Sequence, residues 1–354
     1  MGLMKRYLIL EDGSAFSGHP FGASTTSTGE LAIQTSNFGY QEAISDPANF
    51  GKILSFTTPL IGGSGINPID YESIDPSVRG IIANDIARHI SDSSSFQDLD
   101  QFLKEKKIPA IYGIDTRALV KKLKITQTIK ASIMDTDDDH AFDQIKALVL
   151  PKNQTAQVST TNAYAAPNVG KTVAVIDLGL KHSLLRALSL RKINSVVLPY
   201  NASIYDVTNI RPDAIVISNG PNDPKELENV LKPLLDKFYG QLPILGIGLG
   251  FLLISKYLDL ELVDLIPAYD GSNYPMINPH TKNIYQTAIN LGKLVNPESI
   301  ALPFSEVFYD IKSNLVSGYK DEKNKVLTTA FNPEGSPGNF DANDIYDQFL
   351  KMME

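Results

Sequence analysis

The apolar positions of the chain change their pattern about halfway along it. Up to about residue 150, short apolar runs are separated by turn residues such as Asp12-Gly13 and Gly62-Gly63, a pattern typical of strands in a β-rich domain. The pattern predicts strands over residues 8–10, 30–35 and 53–56. Helical spacing of apolar residues predicts helices over 95–107 and 117–123, the second with an N-cap from Asp115-Thr116.

Continuous apolar runs alternate with amphipathic segments from residue 171 onward. The runs predict four strands, over residues 172–177, 195–199, 214–218 and 243–247. The segments between and after them predict three helices, over 181–191, 225–238 and 249–258. Strands that are apolar on both faces are typical of a parallel sheet covered by helices on each side. We therefore expect an α/β domain whose ligands bind at the carboxyl ends of the strands.

Residues 151–170 separate the two patterns. They carry few charges, many small polar residues and a proline near each end, which is typical of a linker. The chain has 354 residues, more than one hydrophobic core usually supports. We therefore predict domains over residues 1–150 and 171–354, joined by this linker.

Composition excludes several classes of function. The chain has 32 basic against 40 acidic residues and no cluster of lysine or arginine, which argues against a nucleic-acid partner. It contains no apolar run long enough to cross a membrane and begins without a signal-peptide pattern, so we expect no membrane partner and a cytoplasmic location. It has no cysteine, which excludes thiolate metal sites and any cysteine nucleophile.

The segment Gly246-Ile247-Gly248-Leu249-Gly250 ends one predicted strand and opens a helix. A dinucleotide fingerprint fits it poorly, because the sixth position is Phe251 and the segment follows the fourth strand of its domain. It fits better as a nucleophile elbow, in which a strained turn exposes a serine or cysteine. The nucleophile position is Gly248, so the turn is present and the nucleophile is missing.

Further motifs occur on both sides of the linker. In order along the chain they are LILEDG (8–13), SNFGYQE (36–42), SDP (45–47), PLIG (59–62), GIDTR (113–117), DLGLK (177–181), SNGP (218–221), the elbow, GSNYP (271–275) and PEGSPG (333–338). Together they resemble the small subunit of carbamoyl-phosphate synthase. This resemblance implies a β-rich α+β N-terminal domain and, in the C-terminal half, a class I glutamine amidotransferase with an open, mainly parallel sheet flanked by helices.

The resemblance implies a catalytic triad that this chain has largely lost. The family's cysteine position is Gly248, its histidine position is Asn332, and Glu334 alone remains. Other departures are Phe251, Leu252, Leu291 and Lys293 near the family's glutamine contacts and Asn222 in the turn after SNGP. Residues that match the family's glutamine-binding positions are Ser36, Gly220, Leu249, Asn290 and Gly292.

The interpretation that follows is a small chain without glutaminase activity. By resemblance it pairs with the large synthetase chain, which would bind ATP, magnesium and bicarbonate, while this chain needs no cofactor of its own. Free ammonia would supply the nitrogen for carbamoyl phosphate in arginine or pyrimidine synthesis, and the small chain would stabilise or allosterically set its partner. The alternatives are a stand-alone amino-acid sensor built on the inactive scaffold and an ordinary glutamine-dependent subunit.

For three other groups of residues, a structural role is favoured over a catalytic or metal-binding one. Ser255 lies inside the elbow helix, where a serine usually bonds its own backbone rather than acting as a nucleophile. Without a histidine to orient, Glu334 is expected to accept hydrogen bonds from backbone amides in its turn. Asp137-Asp138-Asp139 is an acidic run before a helix rather than a metal site, and no metal is expected.

Overall fold

Two units of different architecture make up the chain. The computed structural model describes residues 5–92, 94–123, 129–135, 140–221, 223–300 and 304–354. Contacts divide the chain into Met1–Pro151 and Lys152–Glu354. Within the described ranges, no helix combines the length and the apolar character that crossing a bilayer requires.

A closed barrel of seven strands forms the N-terminal unit. The strands are β1 (Arg6–Leu10), β2 (Ala15–Gly22), β3 (Ser27–Gln34), β4 (Lys52–Phe56), β5 (Gly80–Ala83), β6 (Pro109–Tyr112) and β7 (Ile129–Met134). Their order around the barrel is β1-β2-β6-β5-β4-β3-β7. The unit also contains the helices α1 (Tyr40–Ser45), α2 (Leu99–Glu105), α3 (Thr116–Leu123) and α4 (His140–Ala147), with short 3₁₀ helices at Pro47–Asn49 and Pro68–Asp70.

Alternation along the barrel strands divides the apolar residues of this unit between two main clusters. Successive strand residues point to opposite faces. Ile53 and Ile82 therefore join one cluster, which includes Leu119 of α3. Their neighbours Leu54 and Ile81 join the other, which includes residues of α1 and α2. Because both faces of these strands pack in apolar clusters, their sequences are continuous apolar runs.

Arg6 ties three parts of the barrel together. Its side chain is 1% exposed and forms a two-pronged ion pair with Asp135, with N–O distances of 2.7 and 3.1 Å. One guanidinium nitrogen also donates to the carbonyl oxygens of Phe21 and Ala110, each at 2.9 Å. A buried charge is tolerated only where such partners replace water. Arg6 thus joins β1 to β2, to β6 and to the end of β7.

A ten-stranded open sheet with helices forms the C-terminal unit. Its strands are β8 (Tyr164–Ala166), β9 (Thr172–Asp177), β10 (Asn194–Pro199), β11 (Ala214–Ile217), β12 (Ile244–Ile247), β13 (Leu262–Asn278), β14 (Asn283–Val295), β15 (Glu306–Asp310), β16 (Val316–Asp321) and β17 (Val326–Thr329). Its helices are α5 (Thr155–Val158), α6 (His182–Leu190), α7 (Ile204–Ile210), α8 (Pro224–Phe238), α9 (Leu249–Tyr257), α10 (Asp344–Lys351) and the 3₁₀ helix Pro297–Ser299.

Five neighbouring strands of this sheet are parallel. They follow the order β10-β9-β11-β12-β17 and place their carboxyl ends at one edge. The strand β8 adds to one side in antiparallel fashion, and β16, β15, β13 and β14 extend the other side, also antiparallel. One large apolar cluster contains residues of the parallel strands and of helices α6 to α10.

The predicted elements match the observed ones to within a few residues at each end. The strand predicted over 172–177 is β9, and the other three predicted strands of this half are β10, β11 and β12. In the N-terminal unit, α2 is shorter than predicted because it begins after the N-cap Asp98, whose carboxylate accepts from the Gln101 amide. The predicted N-cap Asp115 is confirmed, since its carboxylate accepts from the amides of Arg117 and Ala118.

The segment predicted as a linker contributes to the C-terminal unit. Within 151–170, α5 and β8 are regular elements, and β8 pairs with β10. The amide of Thr160 also donates to the buried carboxylate of Asp177, at 2.7 Å. Few charges and many small polar residues are typical of an exposed segment. The strand β8 is such a segment, because it lies exposed at the edge of the sheet, so its sequence did not distinguish it from a linker. The prediction of a simple linker is therefore wrong for residues 155–166.

We expect Arg6→Leu to destabilise the barrel. The substitution leaves the Asp135 carboxylate and two buried carbonyls without their donor, which should lower the free energy of unfolding by about 3 kcal/mol. Urea denaturation followed by circular dichroism measures the change. The control Lys171→Ala removes a half-exposed ion pair with Asp213 and should change the free energy by less than about 1 kcal/mol. Equal effects of the two substitutions would contradict the stabilising role that the contacts assign to Arg6.

Candidate functional site

Two strand-to-helix turns lie side by side at the carboxyl edge of the parallel strands. The strands β11 and β12 pair in parallel with Ile217 opposite Gly246, so both leave the sheet at the same edge. Ser218 and Asn219 follow β11, and Gly248 alone separates β12 from α9. The structure therefore brings the SNGP motif and the elbow together at the edge where ligands of such sheets bind.

Gly248 holds the elbow in a conformation that favours glycine. Its φ is 56° and its ψ is −109°, in the half of conformational space that strains other residues. Its amide donates to the carbonyl of Thr329 at 2.8 Å, which ties the turn to β17. The sharp strand-to-helix turn that the elbow pattern predicts is therefore present at this position.

The neighbouring glycines let the elbow helix lie close to the sheet. A Cβ at Gly250 would lie 2.3 Å from the carbonyl oxygen of Ile217, and one at Gly246 would lie 2.6 Å from a side-chain methyl of Ile254. Larger residues would therefore push α9 away from β11 and β12. The glycines that were compared with a dinucleotide fingerprint therefore serve helix packing here.

The side chain of Asn219 occupies the space in front of Gly248. Its carbonyl oxygen accepts a hydrogen bond from the amide of Leu249 at 2.9 Å. In a nucleophile elbow, the amide that follows the nucleophile is an oxyanion-hole donor. A Cβ placed on Gly248 would lie 2.2 Å from the same Asn219 oxygen. The SNGP motif that contains Asn219 did not predict this role, because a sequence motif carries no information on side-chain direction.

Asn332 is held by its backbone beside β14. Its amide donates to the carbonyl of Ala288 at 2.8 Å, and its carbonyl accepts from the amide of Gly335 at 3.0 Å. The residue is buried. Unlike an imidazole, a carboxamide does not gain and lose a proton near neutral pH.

The carboxylate of Glu334 joins two helices. One oxygen accepts from the hydroxyl of Tyr346 in α10 at 2.6 Å, and the other lies 3.5 Å from the hydroxyl of Ser183 in α6. These hydroxyl partners were not predicted from the sequence, and the expected backbone amide partners stay a prediction. Glu334 is buried, and these hydrogen bonds replace the water that its charge has lost.

The contacts of Arg191 continue this connection between α6 and α10. Its guanidinium pairs with both oxygens of Asp347, at 2.6 and 3.1 Å. It lies 5.3 Å from the centre of the Tyr346 ring and also donates to the carbonyl of Asn343 at 2.7 Å. The helix α10 is thus held by ionic, hydrogen-bonding and cation–π contacts from Arg191. The buried hydrogen bond between Glu334 and Tyr346 holds the same helix.

A third group at the carboxyl edge is the carboxylate of Asp177, at the end of β9. It accepts from the amides of Thr160, Gly179 and Leu180, at 2.7, 3.0 and 2.7 Å. Burial raises the pKa of Asp177 above its ordinary value, although these three donors oppose the shift. Because its carboxylate accepts hydrogen bonds from three backbone amides, Asp177 fixes the conformation of the loop at Leu178 and Gly179. This loop packs against Gly220.

The residues matched to a glutamine site come from several elements of the two units. Leu249 is buried at the start of α9, and Gly220 lies so close to Leu178 that a Cβ would meet the Leu178 carbonyl oxygen at 2.0 Å. Asn290 and Gly292 lie on β14, and Asn290 is two residues from Ala288, the partner of Asn332. Ser36 belongs to the N-terminal unit, where its buried hydroxyl donates to the Gln34 side chain at 2.9 Å.

The helix after the elbow offers no replacement nucleophile at Ser255. Its hydroxyl donates to the carbonyl of Phe251 at 2.7 Å, as expected from its helical position, and lies 3.2 Å from the Tyr319 hydroxyl. Burial raises the pKa of the Tyr319 phenol above its ordinary value, which keeps it protonated and unable to serve as a base. Phe251 and Leu252 are buried in the apolar cluster of the C-terminal unit.

Other candidate sites stand apart from this edge. Among the described residues, no group of three or more histidine or acidic side chains could hold a metal ion. Asn222 and Asp137-Asp138-Asp139 lie outside the described residues. A cavity of about 510 Å³ in the N-terminal unit is lined by residues that include Phe21, Arg88 and Tyr112, but by none of the residues matched to a glutamine site.

Comparisons with known proteins cover both units. The family model for the carbamoyl-phosphate synthase small chain matches residues 8–133, and that for class I glutamine amidotransferases matches residues 174–352. The carbamoyl phosphate synthase small chain of Streptococcus pyogenes is 40% identical over 99% of this chain and 98% of its own length. That of Lactococcus lactis subsp. cremoris is 38% identical over 99% of both chains.

Among solved structures, PurLQS from Thermotoga maritima is similar over 52% of this chain and 100% of that chain, with 12% identity and a TM-score of 0.38. The family assignment rests on the full-length relatives and the two family models. The two units, the elbow turn and the motif order agree with that assignment. The chain belongs to the carbamoyl-phosphate synthase small chain family and carries a class I glutamine amidotransferase domain.

Proposed function

We propose that this chain pairs with the large, ATP-using chain of carbamoyl-phosphate synthase and that it does not hydrolyse glutamine. Relatives named as small chains match it over 98% of their own length, which supports a large-chain partner. The observation that carries the loss of hydrolysis is Gly248, at the position where an elbow turn presents its nucleophile.

Glutamine hydrolysis by a triad requires a nucleophile and a base that work together. A thiolate attacks the carboxamide carbon, and a histidine transfers protons to the leaving ammonia and from the attacking water. Glycine and asparagine at the two positions provide neither group, and the chain has no cysteine elsewhere. In a triad hydrolase, loss of the nucleophile or the base alone lowers the rate by about 10⁶-fold. Retention of Glu334 cannot compensate, because its role would be to orient the absent imidazole.

Free ammonia is the nitrogen source in this proposal. The large chain would bind ATP, magnesium and bicarbonate and make carbamoyl phosphate from them and ammonia, for arginine or pyrimidine synthesis. The small chain would contribute by stabilising or allosterically setting the large chain. The closed barrel and the ten-stranded sheet support such a role, since it requires folded surfaces rather than triad chemistry.

An amino-acid sensor is the other candidate. Asn290 and Ser36 motivate it, since they match positions that bind glutamine in the family. The amide of Leu249, however, already bonds Asn219, so a glutamine carboxamide has no donor available there. The structural observations therefore favour the synthase subunit over a glutamine sensor.

The first prediction concerns the nitrogen source. The purified complex of this chain with its large chain should form carbamoyl phosphate from ammonium salts, ATP and bicarbonate, and should give only background product with glutamine. Product formed from labelled bicarbonate measures the rate. A small chain that retains cysteine and histidine is the control, and it should use both nitrogen sources. Glutamine-dependent synthesis well above background would overturn the proposed loss of glutaminase.

A second prediction concerns covalent trapping. Diazo-ketone analogues of glutamine alkylate the nucleophile of active amidotransferases, and this chain offers no thiol for that reaction. Its intact mass should therefore stay unchanged after incubation with 6-diazo-5-oxonorleucine, measured by mass spectrometry. The cysteine-bearing control chain should gain one adduct. A stoichiometric adduct on the present chain would show that another nucleophile has replaced the cysteine.

A third prediction tests whether Glu334 serves the fold. Glu334→Ala leaves the buried Tyr346 hydroxyl without its acceptor and should lower the free energy of unfolding by about 1–3 kcal/mol. Ammonia-dependent synthesis by the complex should stay unchanged under conditions where the variant is folded. Tyr346→Phe is the matched variant, and combining the two should cost less than the sum of the single effects. Lost synthesis with unchanged stability would instead assign Glu334 a functional role.

A further inference from the structure

A cavity in the N-terminal unit has no part in the proposed function. It has a volume of about 510 Å³, and its lining includes residues of β2, β6 and α2 and the segment 86–90. Ligand pockets of proteins typically have volumes of about 300–1,000 Å³. We propose that this cavity binds a phosphate ester that carries a flat ring, with the ring against Phe21 and Tyr112 and the phosphate at Arg88 and His89.

Two aromatic rings provide the apolar side of the cavity. Phe21 in β2 and Tyr112 in β6 contact each other edge to face, with their ring centres 6.0 Å apart. The ring of His19 lies 5.1 Å from the Tyr112 ring and packs against it. Ile86 and the buried Leu99 add aliphatic surface to the lining. A flat ring that enters the cavity therefore exchanges water for aromatic and aliphatic contacts.

The acidic side chains of the lining already have hydrogen-bond donors. The Asp100 carboxylate accepts from the amide of Gly22 at 2.6 Å and forms an ion pair with Lys104. The Asp98 carboxylate accepts from the amide of Gln101 at 2.7 Å and caps α2. These contacts fix both carboxylates to the fold, and neither pairs with the basic side chains of the segment 86–90.

Arg88 and His89 are the basic groups of the lining that remain for a ligand. Both residues are exposed, and neither forms a hydrogen bond or an ion pair through its side chain with another residue that the structure describes. A guanidinium binds two oxygens of one phosphate group through parallel hydrogen bonds. An imidazole can donate to a third oxygen, which a phosphate ester has and a carboxylate lacks. The two side chains together therefore favour a phosphate over a carboxylate.

The segment that carries these two basic residues is held at both ends. The amide of Ala87 donates to the carbonyl of Ile61 at 2.8 Å. The amide and the hydroxyl of Ser91 donate to the carbonyl of Gly63, at 2.8 and 2.9 Å. The backbone beside the cavity is therefore fixed before a ligand arrives, and binding requires little ordering of the loop.

A ligand that combines a ring with a phosphate uses both parts of the lining. Inorganic phosphate would leave the aromatic side of the cavity in contact with water, and an uncharged ring would leave the Arg88 guanidinium without a partner. When the two groups are joined, their contacts add, while the loss of translational and rotational freedom occurs only once. The lining therefore predicts that the joined molecule binds much more tightly than either group alone.

Isothermal titration calorimetry of the full chain with phenyl phosphate tests the site. Phenyl phosphate should bind at a single site, and inorganic phosphate and phenol should each bind at least about tenfold more weakly. Arg88→Ala removes the phosphate partner and should weaken the binding of phenyl phosphate about tenfold or more. Because the exposed Arg88 side chain bonds no described residue, this variant should keep the melting temperature of the parent chain.

Arg211→Ala is the matched control, because Arg211 is an exposed arginine of the C-terminal unit, and it should leave the affinity for phenyl phosphate unchanged. Tyr112→Leu removes one ring of the lining and should also weaken phenyl phosphate. No saturable binding at millimolar phenyl phosphate, or equal affinities of the Arg88→Ala and parent chains, would overturn the proposal. These outcomes are independent of the proposed function, since glutamine-dependent synthesis by the complex would refute the loss of glutaminase without changing the affinity for phenyl phosphate.

Discussion

The hydrogen bond from the Leu249 amide to the Asn219 side chain holds together the two turns at the carboxyl edge of the parallel strands. It forms because two parallel strands end side by side, so that the turn after β11 meets the turn after β12. In the observed conformation, a Cβ at Gly248 would lie 2.2 Å from the Asn219 side-chain oxygen. Gly248 itself carries no nucleophilic side chain and leaves room for Asn219 beside it.

The carboxylate of Glu334 has structural partners in two helices. Glu334 accepts hydrogen bonds from hydroxyls of α6 and α10, and Arg191 adds an ion pair between the same helices. Such contacts stabilise the fold whether or not the carboxylate has a catalytic role, because removing a buried hydrogen-bond partner is costly. A match at one catalytic position is therefore weak evidence for activity, because structural contacts can retain the same residue.

Much of the fold was predictable because its elements depend on local pattern. The parallel strands have apolar side chains on both faces, and the N-caps Asp98 and Asp115 stand next to the helices they begin. The antiparallel extension from β13 to β16 was not predicted. Its strands mix exposed and buried positions with bulges, as between Asp264 and Tyr269, so no regular period appears. The edge strand β8 was taken for a linker because it is only three residues long and largely exposed.

The amino-acid sequence by itself determined the family, the two kinds of unit and the absence of any thiol, because motif order and composition do not depend on coordinates. Only the tertiary structure decided which side chain lies beside Gly248 and what Glu334 binds. Asn219 is 29 residues before Gly248, and Tyr346 is 12 residues after Glu334. Contacts across such separations depend on strand order and side-chain direction, which are set by packing of the whole unit rather than by neighbouring residues.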